Sequence, residues 1–192
     1  MQIKNTRERY GAIAKFFHWF MALMILGSYV TVYFRHWFMD PKSEFGVTLI
    51  QLHFTLGFSL FVFIVLRIIW RIMNVQPDDP DVSPLEKRAG RGMHYILYLI
   101  MFLMPLTGLL AFGPGIKFFG MFEIPPMYAN EVGQWFKPNG GGAKVGEYMR
   151  DFHRIVGEWV LWVLVVIHML AGFYHHFGLK NDVLKRMLPW GR

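Results

Sequence analysis

The sequence contains no cysteine in its 192 residues. Disulfides, thiolate-bound zinc, iron–sulfur clusters and covalently attached c-type haem are therefore excluded from within the chain. Charge is also scarce: Asp, Glu, Lys and Arg make up 17% of the residues, below the roughly 25% of an ordinary soluble domain. The acidic sign is the scarcer, with 13 Asp and Glu against 20 Lys and Arg and a formal net charge of +7. On a soluble protein that excess would suggest nucleic acid. Here the basic residues gather at the ends of apolar stretches, which argues for a lipid bilayer and against a nucleic-acid partner. The N-terminal segment lacks the small-residue cleavage site that follows a secretory signal, so the first apolar stretch is expected to be kept.

What the chain has in abundance is apolar surface. It is 54% hydrophobic and 18% aromatic, with a positive mean hydropathy. A soluble fold of this size has too little core to hide so much. The length fits a single domain, residues 1–192. Four apolar stretches stand out, at about 16–34, 47–72, 93–112 and 155–177. Each has roughly 20 residues or more, enough to span a hydrocarbon layer of about 30 Å. The fold class expected is all-α, an integral membrane four-helix bundle, with a kink at Pro105. The first connection is short (35–46). The second, 77–92, is polar and turn-rich, and is read as a loop. The third is long and carries GPG, PP and GGG, and its apolar part 116–122 is expected to dip into the interface or pack on the bundle. Lys and Arg number thirteen on the side of the two termini and seven on the other, so both termini are expected to be cytoplasmic.

Histidines within a membrane span are expensive and mark function by default. His18 lies about one turn into the first stretch, which begins inside. His53 lies about two turns into the second, which begins outside. His153 opens the fourth stretch on the outside, and His168 follows fifteen residues later, about 22 Å deeper. Depth thus pairs His53 with His153 and His18 with His168. Fifteen residues is about 60° past four whole turns, so both histidines of the fourth helix can face the bundle interior. Four residues after each of the four stands a small side chain: Ala22, Gly57, Gly157 and Gly172. Positions i and i+4 share a helix face, so each histidine has room beside it for a broad flat ligand. Two imidazoles at one depth suit the axial positions of a haem. Without cysteine the natural form is b-type, one haem per level. A lone membrane histidine is more often an interhelical hydrogen-bonding group, and a His-lined metal or proton pathway is another reading. The sorting of four His–small pairs by depth favours the two-haem arrangement.

Other residues are more ambiguous. Arg67 and Arg71, one turn apart, suit inner haem propionates and equally suit anchoring at the inner interface. Arg150 and Arg154 flank His153 and suit outer propionates or the collection of a small anion. His175 and His176, near the inner end of the last stretch, suit a quinone head group or a wet interfacial pair. His36 and His94 fall at stretch edges and read as interfacial or loop residues. Trp19, Trp37, Trp70, Trp135 and Trp190 read as interfacial belt.

Several strings carry a resemblance: HW at His18, LH at His53, FRHWF at 34–38, PPMYANE at 125–131 and, above all, IHMLAGFYHHFGLKNDVLKRMLP at 167–189. Over nearly its whole length the chain resembles the bacterial di-haem cytochrome b561 family, including its superoxide-oxidising members. The resemblance implies two haem b groups ligated by the residues at His18, His53, His153 and His168. It implies a location in the bacterial inner (plasma) membrane, multi-pass, surrounded by lipid. It further implies electron entry from superoxide at the outer face, ubiquinone as acceptor, and His175 near the quinone head group. Other members of the family are cytochrome b subunits that link quinone to a partner dehydrogenase or hydrogenase, so a redox partner protein is the alternative expectation.

Overall fold

The computed structural model describes residues 2–79, 81–112, 115–126, 129–136 and 140–190. Gly113 and Pro114 of the GPG string, Met127 and Tyr128 of PPMYANE, and Arg192 among the orientation residues lie outside them. Four helices are long and apolar enough to cross a bilayer. They are α1 (Ala12–Phe38), α2 (Glu44–Met73), α3 (Pro84–Phe112) and the continuous α5 (Ala143–Gly178). Short helices α4 (Glu131–Phe136) and α6 (Val183–Met187) flank α5. Among the described residues a small antiparallel hairpin, β1 (Ile116–Phe118) with β2 (Phe122–Ile124), departs from the all-α fold.

The helix starts lie earlier in the chain than hydropathy predicts, and each has a local cause. At α3, Ser83 and Glu86 form a reciprocal cap. The Ser83 amide and hydroxyl donate to Glu86 Oε2, at 2.8 and 2.7 Å, and the Glu86 amide donates back to Ser83 Oγ. Pro84 sits at the first helical position, where its missing N–H costs nothing. The helix therefore begins within the polar segment read as a loop. At α5 the first thirteen residues, Ala143–Ile155, are charged and amphipathic, so apolar run length misses them. The glycine run before α5 has a packing cause. A Cβ on Gly142 would come 2.2 Å from Trp135 Cε3, and the Gly142 amide donates to the Trp135 carbonyl. The backbone thus wraps the indole. Pro105 lies inside α3, and the helix continues through it.

The hairpin packs on α2. Gln51 Nε2 donates to the Gly115 carbonyl and the Lys117 amide donates to Gln51 Oε1, at 3.3 and 3.1 Å. Phe58 meets Phe118 edge-on. At the opposite end the two chain termini come together. Arg7 pairs with Asp78, Arg186 donates to the Asp78 carbonyl, and Trp19 Nε1 donates to the Met187 carbonyl at 2.7 Å. That end is called the terminal end below, and the hairpin end the loop end.

Buried hydrophobic side chains form two clusters between the helices. Met21, Met24, Leu60 and Ile64 join α1 to α2, while Leu97, Ile100, Met104 and Leu161 join α3 to α5. Large apolar side chains such as Leu23, Val30, Ile69, Leu99, Trp159 and Leu170 are exposed on the outer faces. Lipid, not water, is the solvent such faces require.

A histidine-lined seam as the candidate cofactor site

Histidines from opposite halves of the bundle face one another across the seam between these two groups. At the loop end the rings of His53 (α2) and His153 (α5) lie 6.2 Å apart, centroid to centroid, at 86°. At the terminal end the rings of His18 (α1) and His168 (α5) lie 6.0 Å apart at 58°. Two imidazoles bound on opposite sides of one metal ion, with metal–nitrogen bonds of about 2 Å, have ring centres about 6 Å apart. Both separations match that spacing. Because fifteen residues separate His153 from His168, the levels are about 22 Å apart along α5.

The chain places these rings by identifiable means. Between the two α5 histidines the helix opens into a π turn, Val156–Leu161. Such a turn absorbs an extra residue and is common at functional sites. It shifts the rotation of His168 about the helix axis relative to His153. A helix carbonyl in the turn, that of Gly157, accepts a hydrogen bond from Tyr29 Oη of α1 at 2.5 Å. His153 Nδ1 donates to the Met104 carbonyl at 2.8 Å, and His53 Nδ1 donates to the Ser28 carbonyl at 3.3 Å. A backbone carbonyl holding Nδ1–H fixes the tautomer and leaves the Nε2 lone pair for a metal. The His153 ring also lies directly against Gly108 of α3, where a Cβ would come within 2.7 Å of Cε1. Space beside the ligands varies. A Cβ on Gly57 would meet nothing within 4 Å, while Gly157 and Gly172 face the side-chain ends of Met104 (3.1 Å) and Leu184 (3.7 Å).

Arg67 reaches into the terminal level. Its Nη2 lies 3.4 Å from His18 Nδ1, and its Nε donates to Tyr98 Oη at 2.9 Å. Arg67 and Arg71 both stack over the Tyr98 ring, at 5.4 and 5.7 Å. With Trp70 and Gln76 they line a small pocket. Trp70 Nε1 is buried and has no hydrogen-bond partner among the described residues. Two guanidinium groups and an orphaned N–H form a donor set suited to carboxylates. At the loop end Arg154 pairs with Asp151 at 3.4 Å on the surface, and Arg150 stands one residue before that aspartate. His175 lies within a second π turn, Tyr174–Gly178, and its Nδ1 is 2.9 Å from Asn181 Nδ2 just past that turn. An apolar recess of about 340 Å³ runs along α1 at the same end, lined by Lys15, Phe16, Trp19, Phe20 and Pro189 among others.

His94 requires a correction. It does not lie in a loop. It lies ten residues into α3, with its ring 5.7 Å from that of His168. The Ser83–Pro84–Leu85–Glu86 cap was the signal that extends α3 back far enough to bring His94 inside. His36 lies in the last turn of α1.

A membrane bundle with imidazoles facing across its interior at two depths suits a membrane cytochrome of the b type, since the chain offers no thiolate and imidazole nitrogens suit haem iron. The donor chemistry, ring spacing and orphaned donors all fit that group. Residues 9–190 match the family model for prokaryotic cytochrome b561. The chain is 33% identical to Cytochrome b561 homolog 2 of Escherichia coli (strain K12), over 98% of this chain and 95% of that relative. It is 24% identical to Cytochrome b561 homolog 1 of the same organism, over 95% and 98%. It is 21% identical to the Probable superoxide oxidase CybB of Yersinia pestis, over 95% and 97%. The chain belongs to the prokaryotic cytochrome b561 family, and is a multi-pass inner-membrane electron-transfer protein that uses haem b.

Proposed function

We propose that this cytochrome holds two b-type haems, one between His53 and His153 and one between His18 and His168, and passes electrons from superoxide at the outer face to ubiquinone at the cytoplasmic face. The observation that carries the reading is the presence of two facing imidazole pairs at two depths, together reaching across most of a bilayer. The excess of Lys and Arg at the terminal end supports a cytoplasmic place for that end. When bound, haem b would supply reversible one-electron transfer at each level. Two superoxide ions then yield two dioxygen molecules and two electrons. Ubiquinone takes those electrons with two protons from cytoplasmic water to give ubiquinol.

The residues have separate tasks in this scheme. Met104 and Ser28 carbonyls hold the loop-level imidazoles in the ligating tautomer. Arg67 and Arg71, with Trp70 Nε1, receive propionates at the terminal level. Arg150 and Arg154 help gather a small anion at the outer face, a rate effect that falls as salt rises. His175 serves the quinone head group, and the recess along α1 offers an apolar wall to its tail. The likeness to a probable superoxide oxidase supports the donor.

One observation favours a second reading, an electron-transfer subunit that links quinone to a partner dehydrogenase or hydrogenase. The loop end exposes Phe119, Met121, Phe122, Val132 and Trp135, more apolar surface than a small-anion entry needs. The test is an absorption spectrum of detergent-purified protein before and after a superoxide pulse, with and without ubiquinone. Rapid appearance of reduced b-haem bands, reversed by quinone, is expected. Haem reduced by dithionite but not by superoxide would favour the partner-subunit reading, and a colourless protein expressed with haem supplied would overturn both.

A further inference from the structure

We propose that His94 is a third imidazole of the terminal level and can replace His18 opposite His168 as a haem ligand. The inference rests on the haem reading of that level and adds a residue to it.

Three helices each present one histidine at this depth: α1 gives His18, α5 gives His168 and α3 gives His94. The His168 ring neighbours both of the others, 6.0 Å from His18 and 5.7 Å from His94. Either separation suits two imidazoles on one iron, by the same bond lengths of about 2 Å that fit the loop level. Among the described residues no three such side chains converge on a single ion position. One iron would therefore take His168 and one of the other two.

One of the two competitors is already engaged. Arg67 Nη2 faces His18 Nδ1 at 3.4 Å. A guanidinium can only donate, so in this arrangement Nδ1 accepts and the ring proton sits on Nε2, the nitrogen an iron would need. His18 must therefore give up its contact with Arg67 to ligate through Nε2, while His94 stands 5.7 Å from His168 on another helix. The loop level shows no such redundancy among the described residues: His53 and His153 contact one another and no third histidine.

The test uses the full chain in detergent, with haem supplied during expression, and compares the wild type with His18→Ala and the double variant His18→Ala/His94→Ala. The readouts are haem per protein and the low-temperature electron paramagnetic resonance spectrum, which distinguishes iron with two imidazoles from iron with one. The loop-level haem in the same sample reports whether each variant has folded. We expect His18→Ala to keep two haems, both low-spin with two imidazoles, and the double variant to keep only the loop-level one in that state. A second haem that is lost or turns high-spin in His18→Ala would overturn the role of His94 and leave the two-haem reading standing. Two low-spin haems in the double variant would overturn it as well. Fewer than two haems in the wild type would instead sink the two-haem reading itself, and the inference with it.

Discussion

The two levels of the seam are built on opposite plans. At the loop level each ring has one position: Nδ1 of both histidines is tied to a helix carbonyl, and the His153 ring is pressed onto Gly108. At the terminal level His168 has two imidazole neighbours, and His18 is held by a charged side chain that also serves Tyr98. The locked level faces the end where the electron donor is proposed to arrive. The plural, charged level faces the end where quinone is proposed to bind, and where protons and electrons would meet. Backbone ties fix geometry because helix carbonyls cannot move without breaking the helix. Side-chain ties leave geometry adjustable.

The largest effect that would break this comparison is loss of a loop-level ligand. His153→Ala should reduce haem from two to one per chain by pyridine haemochrome assay and abolish reduction by superoxide, since no other histidine stands ready there. Retention of both haems would show the loop level to be as permissive as the terminal one. Next is Gly108→Ala, whose Cβ would meet His153 Cε1 at 2.7 Å. Displacing an oriented ligand typically costs roughly 10–100-fold in affinity, so haem occupancy at the loop level should fall under dilution. Gly172→Ala, with only an ordinary 3.7 Å contact to Leu184, should leave occupancy unchanged.

Arg67→Gln sharpens the other side of the comparison. Removing a positive charge beside the terminal-level site should lower that haem's midpoint potential, on the order of 60 mV if the charge is worth a tenfold change in a one-electron equilibrium. Spectroelectrochemical titration should show the loop-level potential unmoved. A shift confined to the loop-level haem would reverse the assignment of Arg67. The smallest effect is Tyr29→Phe, which removes the hydrogen bond to the Gly157 carbonyl in the π turn. A loss of about 1 kcal/mol is expected, read as a modest fall in thermal midpoint with both haem spectra intact. Change in the haem spectra would mean that the π turn itself needs α1 to hold its register.

Much of this was legible in the chain. Four spans, their order and the grouping of His53 with His153 and His18 with His168 follow from run length and rise per residue, and the structure brings the same pairs together. The helix starts were less legible, because hydropathy detects only what lies in lipid. The amphipathic head of α5 and the polar first turns of α3 extend beyond it, and there a cap or a packed indole decides. His94 was missed for that reason: a residue at the edge of an apolar run need not lie at the edge of its helix.

The sequence by itself determined that the chain crosses a membrane four times and carries imidazoles at two depths, because apolar runs of about 20 residues cross a bilayer as helices and depth along a helix is simple counting. Only the tertiary structure decided which way each ring points. Rotation about the helix axis depends on hydrogen bonds between helices, on the π turn that takes up an extra residue between His153 and His168, and on the glycine that lets one ring lie flush against α3. None of these is encoded by periodicity, because each is settled where two helices meet.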